Sequence, residues 1–555
     1  MRNNSQTTNN CVAPATIHGL SPVLSARENQ QPANQQPGVR STRQPEEAKP
    51  PTNQQPANQP EGSKTLSGLR GTGTVTLLHW LKKNEPAAML AILGGLFFFF
   101  IWVLLASEGY IGDADSLTHY KFSRYSWLYP EFLLHHWGKP VFTLLSSPFA
   151  QFGHGGVSVF NLLAGLGSGW FAWLSARRLG YPNRLLLPFL LFFAPVYTFF
   201  IISGQVEVLF GLFVIATAYL CLDKKYFWAA VLISFSPLVR TEGIIIIPVF
   251  GLFFLAAKQY RAIPWLLTGS VIYSIIGYFH FNDLFWLVNQ MPYRGAEEAY
   301  GTGSLSYFFV RAPIMFGWLI SLLVFSGMAM IVREMLLRRS EASVNAFLLI
   351  LLPFVVYFMA HVVMWYTGIG RSLGLHRYMV SIVPLGAVLA LRGYNDIIGL
   401  FRVQRHGGLL TLLFSVFLLL TVVSEPFSRH QIPHKLDPRN KVMKEATDFM
   451  QQEGFDDNKI YYYDPAFFYF LDLNPYDESE SRPFVYRAAE PHYNIIPGEI
   501  VIWDGLFSPL HHLELKQLKE SPYFETIQIF EPEVPFQVLD TTYKVGVFQR
   551  VDPAK

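Results

Sequence analysis

The sequence predicts an α-helical polytopic membrane protein of about eleven spanning helices, followed by an extracytoplasmic α/β domain. Three observations lead to that fold class. The composition is 51% hydrophobic with only 15% charged residues and 48 Phe, too apolar for an ordinary soluble chain of 555 residues. Apolar runs follow one another from about residue 87 to 423, with cations gathered in every second connection. Beyond 424 the composition returns to that of a soluble domain.

The formal charge of +3 is too small to suggest a nucleic-acid partner. Cys11 and Cys221 lie far apart and offer neither a disulfide framework nor metal-ligand spacing. Residues 1–72 are rich in Gln, Asn, Pro and Ser, with NQQPANQQPG and NQQPANQP as near copies. Too little apolar surface is present to offset the backbone entropy, so a disordered tail is expected. It lacks the apolar core of a signal peptide.

Within 73–423 the apolar runs read as helices near 87–107, 155–176, 185–202, 205–222, 226–239, 244–257, 263–281, 313–332, 345–366, 379–391 and 408–423. Several fall short of the ~20 residues a bilayer requires, so some are tilted, re-entrant or half-length. Alternate connections carry Lys82 and Lys83, Arg177 and Arg178, Lys224 and Lys225, Lys258 and Arg261, Arg333 with Arg338 and Arg339, then Arg402 and Arg405. That clustering puts these loops and the N-terminal tail in the cytoplasm. Residues 424–555 then lie outside. There KIYYY, GEIVIW, FETIQIF and YKVGVFQ read as strands, and KVMKEATDFMQQ and HHLELKQLK as helices. The predicted outer segments hold no Asn-x-Ser/Thr acceptor site, which fits a bacterial inner membrane.

The opposite loops carry the chemistry. Asp113 and Asp115 follow the first helix at the membrane boundary. Paired carboxylates there can deprotonate a hydroxyl or hold a divalent cation, since low dielectric raises their basicity. Equally, Asp-Ala-Asp can simply cap the helix that starts there. His119, His136 and Lys139 come next and can face an anion such as phosphate. Arg240 and Glu242 lie between two apolar runs, where ions are expensive. They read as functional groups or as an ion pair that locks a bend. A later loop has Arg294, Glu297, Glu298 and Tyr300, or is an ordinary connector. Arg371, His376 and Arg377 precede a helix and suit a phosphate, although both arginines can also snorkel to lipid headgroups. Cations and carboxylates from four loops on one face suit transfer from a lipid-phosphate donor.

These residues resemble a family. Asp113-Ala114-Asp115 is similar to the acidic first-loop motif of GT-C type membrane glycosyltransferases. Tyr300-Gly301-Thr302-Gly303 resembles the Tyr-Gly-Thr loop of the eukaryotic mannosyltransferases in that superfamily. Leu375-His376-Arg377-Tyr378 resembles their His-Lys-Glu-x-Arg-Phe element, and Val239-Arg240-Thr241 their helix-turn arginine. The resemblance spans most of 87–392. The chain departs from those enzymes in lacking His-Pro-Asp-Glu in the first loop and the Lys-Glu of the later element, which leaves sugar and acceptor open. Trp503-Asp504-Gly505 is too short to match the Trp-Trp-Asp motif of oligosaccharyltransferases.

The resemblance implies a GT-C fold and an inverting transfer of a hexose, mannose favoured. The donor is a polyprenyl-phosphate sugar and the acceptor a lipid-linked glycan, glycolipid or protein. Asp113 is implied as general base, with Asp115 orienting it. Arg240, Arg371, His376 and Arg377 are implied as partners of the donor phosphate, and Lys139 and His136 as weaker ones. No cofactor is required, although Asp113 and Asp115 can bind a metal. Membrane lipids fill the apolar grooves. Tyr461, Tyr462, Tyr463 and Trp503 are expected as exposed aromatics that grip a glycan or cover the site. An enzyme requires Asp113, Arg240 and His376 around one outward-facing cavity. A secondary transporter and a non-catalytic envelope scaffold are the alternatives, though no repeat relates the two halves.

Overall fold

The computed structural model describes residues 84–292, 301–370, 372–483, 492–538 and 541–553. The expected disordered tail, Arg294, Glu297, Glu298, Tyr300 and Arg371 lie outside these.

Among the described residues, six helices are long and apolar enough to cross a membrane. They are α1 (Glu85–Ala106), α4 (Gly153–Arg178), α10 (Tyr260–Phe281, its first two turns 3₁₀), α12 (Trp318–Leu337), α13 (Glu341–Thr367) and α15 (Gly407–Arg429). The chain is an integral membrane protein. Shorter apolar helices fill the bundle: α3 (Pro140–Ala150), α7 (Val206–Leu222), α8 (Tyr226–Ser234), α9 (Gly243–Ala256) and α11 (Tyr307–Phe316). Between α1 and α3 lies α2 (Ala114–Tyr125).

Two expected helices are interrupted. The 185–202 run divides into α5 (Leu187–Phe192) and α6 (Pro195–Phe200), because Pro195 forces Ala194 into extended backbone. The 313–332 run breaks at Gly317, whose φ of 91° ends α11 and starts α12. A 3₁₀ segment, His376–Ile382, leads into α14 (Val383–Phe401).

Helices α12 and α14 pack at very close range. A Cβ on Gly327 would stand 2.0 Å from the Leu389 carbonyl oxygen, and one on Gly393 would stand 2.1 Å from that of Leu323. Small residues are how helices approach in lipid, where no hydrophobic force separates protein from solvent.

The C-terminal domain starts with α16 (Pro438–Glu453), capped by Asp437 and stopped by Gly454 in left-handed backbone. Its five-stranded sheet has the order β2-β1-β3-β7-β4, from β1 (Ile460–Tyr462), β2 (Ser481–Pro483), β3 (Ile500–Asp504), β4 (Phe524–Phe530) and β7 (Val545–Arg550). Strands β5 (Gln537–Val538) and β6 (Thr541–Thr542) form a separate two-stranded pair. Strand β1 is parallel to both neighbours, whereas β7 is antiparallel to β3 and β4. The expected helix at HHLELKQLK is one turn, Leu515–Lys519. One expectation fails: Tyr461, Tyr462 and Trp503 are buried, not exposed. Central parallel strands are covered on both faces, so their aromatic side chains build the core.

This domain grips the segment after α1. The backbones of Glu108 and His434 pair at 2.9 Å, and Tyr110 Oη donates to Asn440 Oδ1 at 3.0 Å. From α2, Tyr125 Oη donates to the Leu473 carbonyl at 3.0 Å and Tyr120 stacks on Phe468.

Candidate active site

Asp113 is the N-cap of α2 and the centre of the site. Its Oδ1 accepts from the backbone N–H of Asp115 (3.1 Å) and Ser116 (3.3 Å) and from Gln205 Nε2 (2.5 Å). Its Oδ2 accepts from Arg377 Nη1 at 2.5 Å. The second nitrogen of that fork, Nη2, pairs with Asp115 Oδ2. The cap reading of Asp-Ala-Asp is thus the one seen directly: the cap fixes the carboxylate, and an arginine not anticipated as its partner holds it toward the 3₁₀ segment.

Behind Arg377 the charges continue inward. Arg377 Nε lies 3.6 Å from Glu207 Oε1, which accepts from Arg240; Arg240 also pairs with Glu242. His361 Nε2 stands 3.6 Å from Glu242 Oε1, and its ring stacks on Tyr378, over which the Arg240 guanidinium also sits. The chain thus runs Asp113/Asp115, Arg377, Glu207, Arg240, Glu242. Arg240 and Glu242 form the ion pair that the sequence allowed, enlarged by Glu207. Lys139 Nζ donates to Thr241 Oγ1 at 3.2 Å, beside the same cluster. Lys139 has a φ of 63°, a conformation costly for a side chain with a Cβ.

Electrostatics sort the candidates. Burial would raise the Asp115 carboxyl, but Arg377, with Arg240 behind it, outweighs that and holds it below its ordinary value. The expected gain in basicity is thus absent at Asp115, because its ion pair with Arg377 outweighs the effect of burial. Burial pushes His119 down to about 3, so it is a neutral ring stacked on Trp137. Burial also lowers His136, which meets the Trp286 carbonyl at 3.3 Å, and His376, with Arg311 adding to the effect. These three histidines are not standing cations. Lys139 is lowered to about 8 by burial, with Glu242 opposing.

A cavity of about 660 Å³ opens beside Asp113. Its polar lining includes Asp113, Tyr307, His376, Arg377, Arg429 and His430; Val196, Phe199, Phe200, Ile314, Met315 and Leu373 form apolar walls. Of the three residues expected around one cavity, Asp113 and His376 line it, whereas Arg240 does not and sits behind Arg377. Among the described residues Glu207 Oε2, Arg240 Nε, His361 Nδ1 and His376 Nε2 are buried without a protein partner, as befits a site that receives water or ligand.

A divalent cation on Asp113 and Asp115 fits poorly. One oxygen of each is taken by Arg377, Asp113 Oδ1 is filled by N–H donors, and no group of three metal-ligating side chains occurs among the described residues.

The sequence reading missed Glu207, Gln205, His361, Arg429 and His430. Glu207 stood inside an apolar run, where an ionisable residue is itself a signal. Arg429 and His430 fell just past the last predicted helix.

Comparison with known proteins places the architecture. No family profile matches the chain, and no curated protein does. Among solved structures, ArnT from Cupriavidus metallidurans bound to undecaprenyl phosphate aligns with a TM-score of 0.54 and 13% identity, covering 86% of this chain and 98% of that one. The same protein in the apo state aligns with a TM-score of 0.54 and 11% identity over 84% of this chain and 98% of that one. The chain has the GT-C fold. The Archaeoglobus fulgidus oligosaccharyltransferase AglB, in complex with an inhibitory peptide and a dolichol-phosphate, aligns at a TM-score of 0.47 and 15% identity over 73% of this chain and 62% of that one, too weakly to add to this.

Proposed function

We propose that this GT-C chain is an inverting glycosyltransferase. It moves a hexose, mannose first among them, from a polyprenyl-phosphate donor to a lipid-linked glycan, glycolipid or protein acceptor on the extracytoplasmic face. The observation that carries this reading is the Asp113 carboxylate, fixed by a helix cap and by Arg377 at the wall of a cavity lined by both polar and apolar side chains. Likeness to the fold of a protein bound to undecaprenyl phosphate supports the donor class.

In this reading Asp113 takes the proton of the acceptor hydroxyl as its oxygen attacks the anomeric carbon. The bond from that carbon to the phosphate oxygen breaks, and the electron pair leaves with the polyprenyl phosphate. Base and leaving group stand on opposite faces of the sugar. Arg377, bonded to Asp113, therefore belongs to the base's side and orients it. Among the described residues Lys139, which donates to Thr241 Oγ1, and Arg240, which is paired with Glu207 and Glu242, are then the candidates of the original set for the donor phosphate, and Arg371 stays a candidate outside the described residues. The alternating cationic connections support a cytoplasmic N-terminus and an outer C-terminal domain.

The test is sugar transfer from a panel of labelled polyprenyl-phosphate hexoses by the purified protein in lipid. Wild type transfers at least one hexose and Asp113→Asn loses roughly 10²–10⁴-fold in rate, the usual share of a positioned base. Absence of transfer by folded protein with every donor and acceptor class removes the proposal.

A further inference from the structure

The cavity beside Asp113 has polar lining residues that the transfer chemistry above does not use. Arg429 and His430 end α15 and line the cavity together with Asp113, His376 and Arg377. Arg429 is held from behind: Nε and Nη2 donate to Glu425 Oε1 at 3.2 and 2.5 Å, and Nη2 also reaches the Pro313 carbonyl at 3.3 Å. Glu425 is itself buried and accepts from the Trp318 N–H at 3.3 Å. The guanidinium is therefore pinned by two of its nitrogens. Among the described residues Nη1 has no partner, and neither ring nitrogen of His430 has one. His430 instead packs its ring against Phe199, one of the apolar wall residues.

A helix-stopping arginine needs only its glutamate. A pinned guanidinium with an unspent edge, an unpaired imidazole, and His376 Nε2 buried without a partner in the same cavity together describe an anion receptor. The walls around it are apolar, so the anion arrives on a lipid. Because the cavity also holds Asp113, a molecule bound here has its hydroxyls on the base's side of the sugar, opposite the donor phosphate.

From this we infer that Arg429 and His430 form a second anion subsite, which takes the phosphate-bearing headgroup of a lipid. Resting on the transferase reading, that lipid is the acceptor, so of the three acceptor classes a phosphate-bearing lipid is the one this chain uses. A protein acceptor and a neutral glycolipid leave the Nη1 edge of Arg429 without a partner.

The test measures binding of short-chain phosphatidic acid and of diacylglycerol to the full-length protein in nanodiscs, with inorganic phosphate as competitor. The inference expects phosphatidic acid to bind at least tenfold tighter than diacylglycerol. Arg429→Gln loses that preference and Arg429→Lys keeps part of it, while thermal unfolding reports that both variants are folded. Millimolar inorganic phosphate displaces the lipid only weakly, because it lacks the apolar part. Equal binding of the two lipids, a preference untouched by Arg429→Gln in folded protein, or inorganic phosphate binding as tightly as the lipid overturns the inference. The two readings fail separately. Selective binding without any sugar transfer sinks the transferase and keeps the phosphate-lipid site, whereas transfer without selectivity sinks the subsite.

Discussion

Replacing Arg377 by Lys or Gln tests whether one guanidinium organises the site. Arg377 is 8% exposed and reaches three carboxylates: Asp113 at 2.5 Å, Asp115, and Glu207 at 3.6 Å. The fork bonds two of them at once, which a lysine ammonium, a single point charge, does not reproduce. A hydrogen bond to a charged group contributes roughly 1.5–3 kcal/mol net, so Arg377→Lys, losing one of two, should cost about 10- to 150-fold in kcat/KM. Arg377→Gln removes the charge and leaves Asp113 and Asp115 as adjacent carboxylates without their counter-ion. The Asp115 carboxyl, held low by that arginine against the effect of burial, then rises. The assay is the pH profile of transfer. The acid limb stays in place for Arg377→Lys and moves to higher pH for Arg377→Gln. A merely structural arginine would lower the amount of folded protein and leave the limb where it was; an unmoved limb in folded Arg377→Gln refutes the reasoning. The stability sign follows as well. A depressed carboxyl contributes stability above its unfolded value of about 4, lost as pH falls through the folded value, so Arg377→Gln should flatten stability below about pH 4.

Three further outcomes follow from the geometry. Lys139 titrates at about 8 before it meets an anion, so undecaprenyl phosphate should bind evenly from pH 6 to about 8 and weaken above; Lys139→Arg should keep its affinity to higher pH. In the C-terminal domain Asp464 is pushed up to about 7 by burial, with Asp504 adding to it. The folded state then holds a proton that the unfolded state has released, so stability falls as pH rises from about 4 to about 7. Asp464→Asn should raise the melting temperature of the full chain at pH 8 and leave it unchanged at pH 4. Tyr110→Phe strands the Asn440 oxygen it satisfies and should cost about 1–3 kcal/mol, read as faster proteolysis between α1 and the C-terminal domain.

Much of this architecture was legible because apolar length and charge alternation are strong signals. The runs at 87–107, 155–176 and 345–366 each became one long helix, and the four expected strands all form. The breaks at Ala194 and Gly317 were harder, since a Pro or Gly inside an apolar run is tolerated in lipid as often as it ends a helix. At the site, Asp113, Arg377 and His376 stood in polar loops and were found. Glu207 was hidden by its apolar neighbours, although its charge in a buried helix was the clue. The meeting of Arg377 with Asp113, 264 residues apart, is a tertiary fact that no local pattern carries. The aromatic strands were misjudged because Tyr and Trp suit both a core and a sugar-binding surface. Only the sheet order decides between them.

The most direct test of the central claim is transfer of labelled hexose from polyprenyl phosphate by wild type and by Asp113→Asn, each shown folded and bound to donor. The account predicts transfer by wild type and a loss of roughly 10²–10⁴-fold in the variant at equal donor affinity. Equal transfer by both proteins would contradict the role of Asp113, and transfer by neither would contradict the enzyme itself.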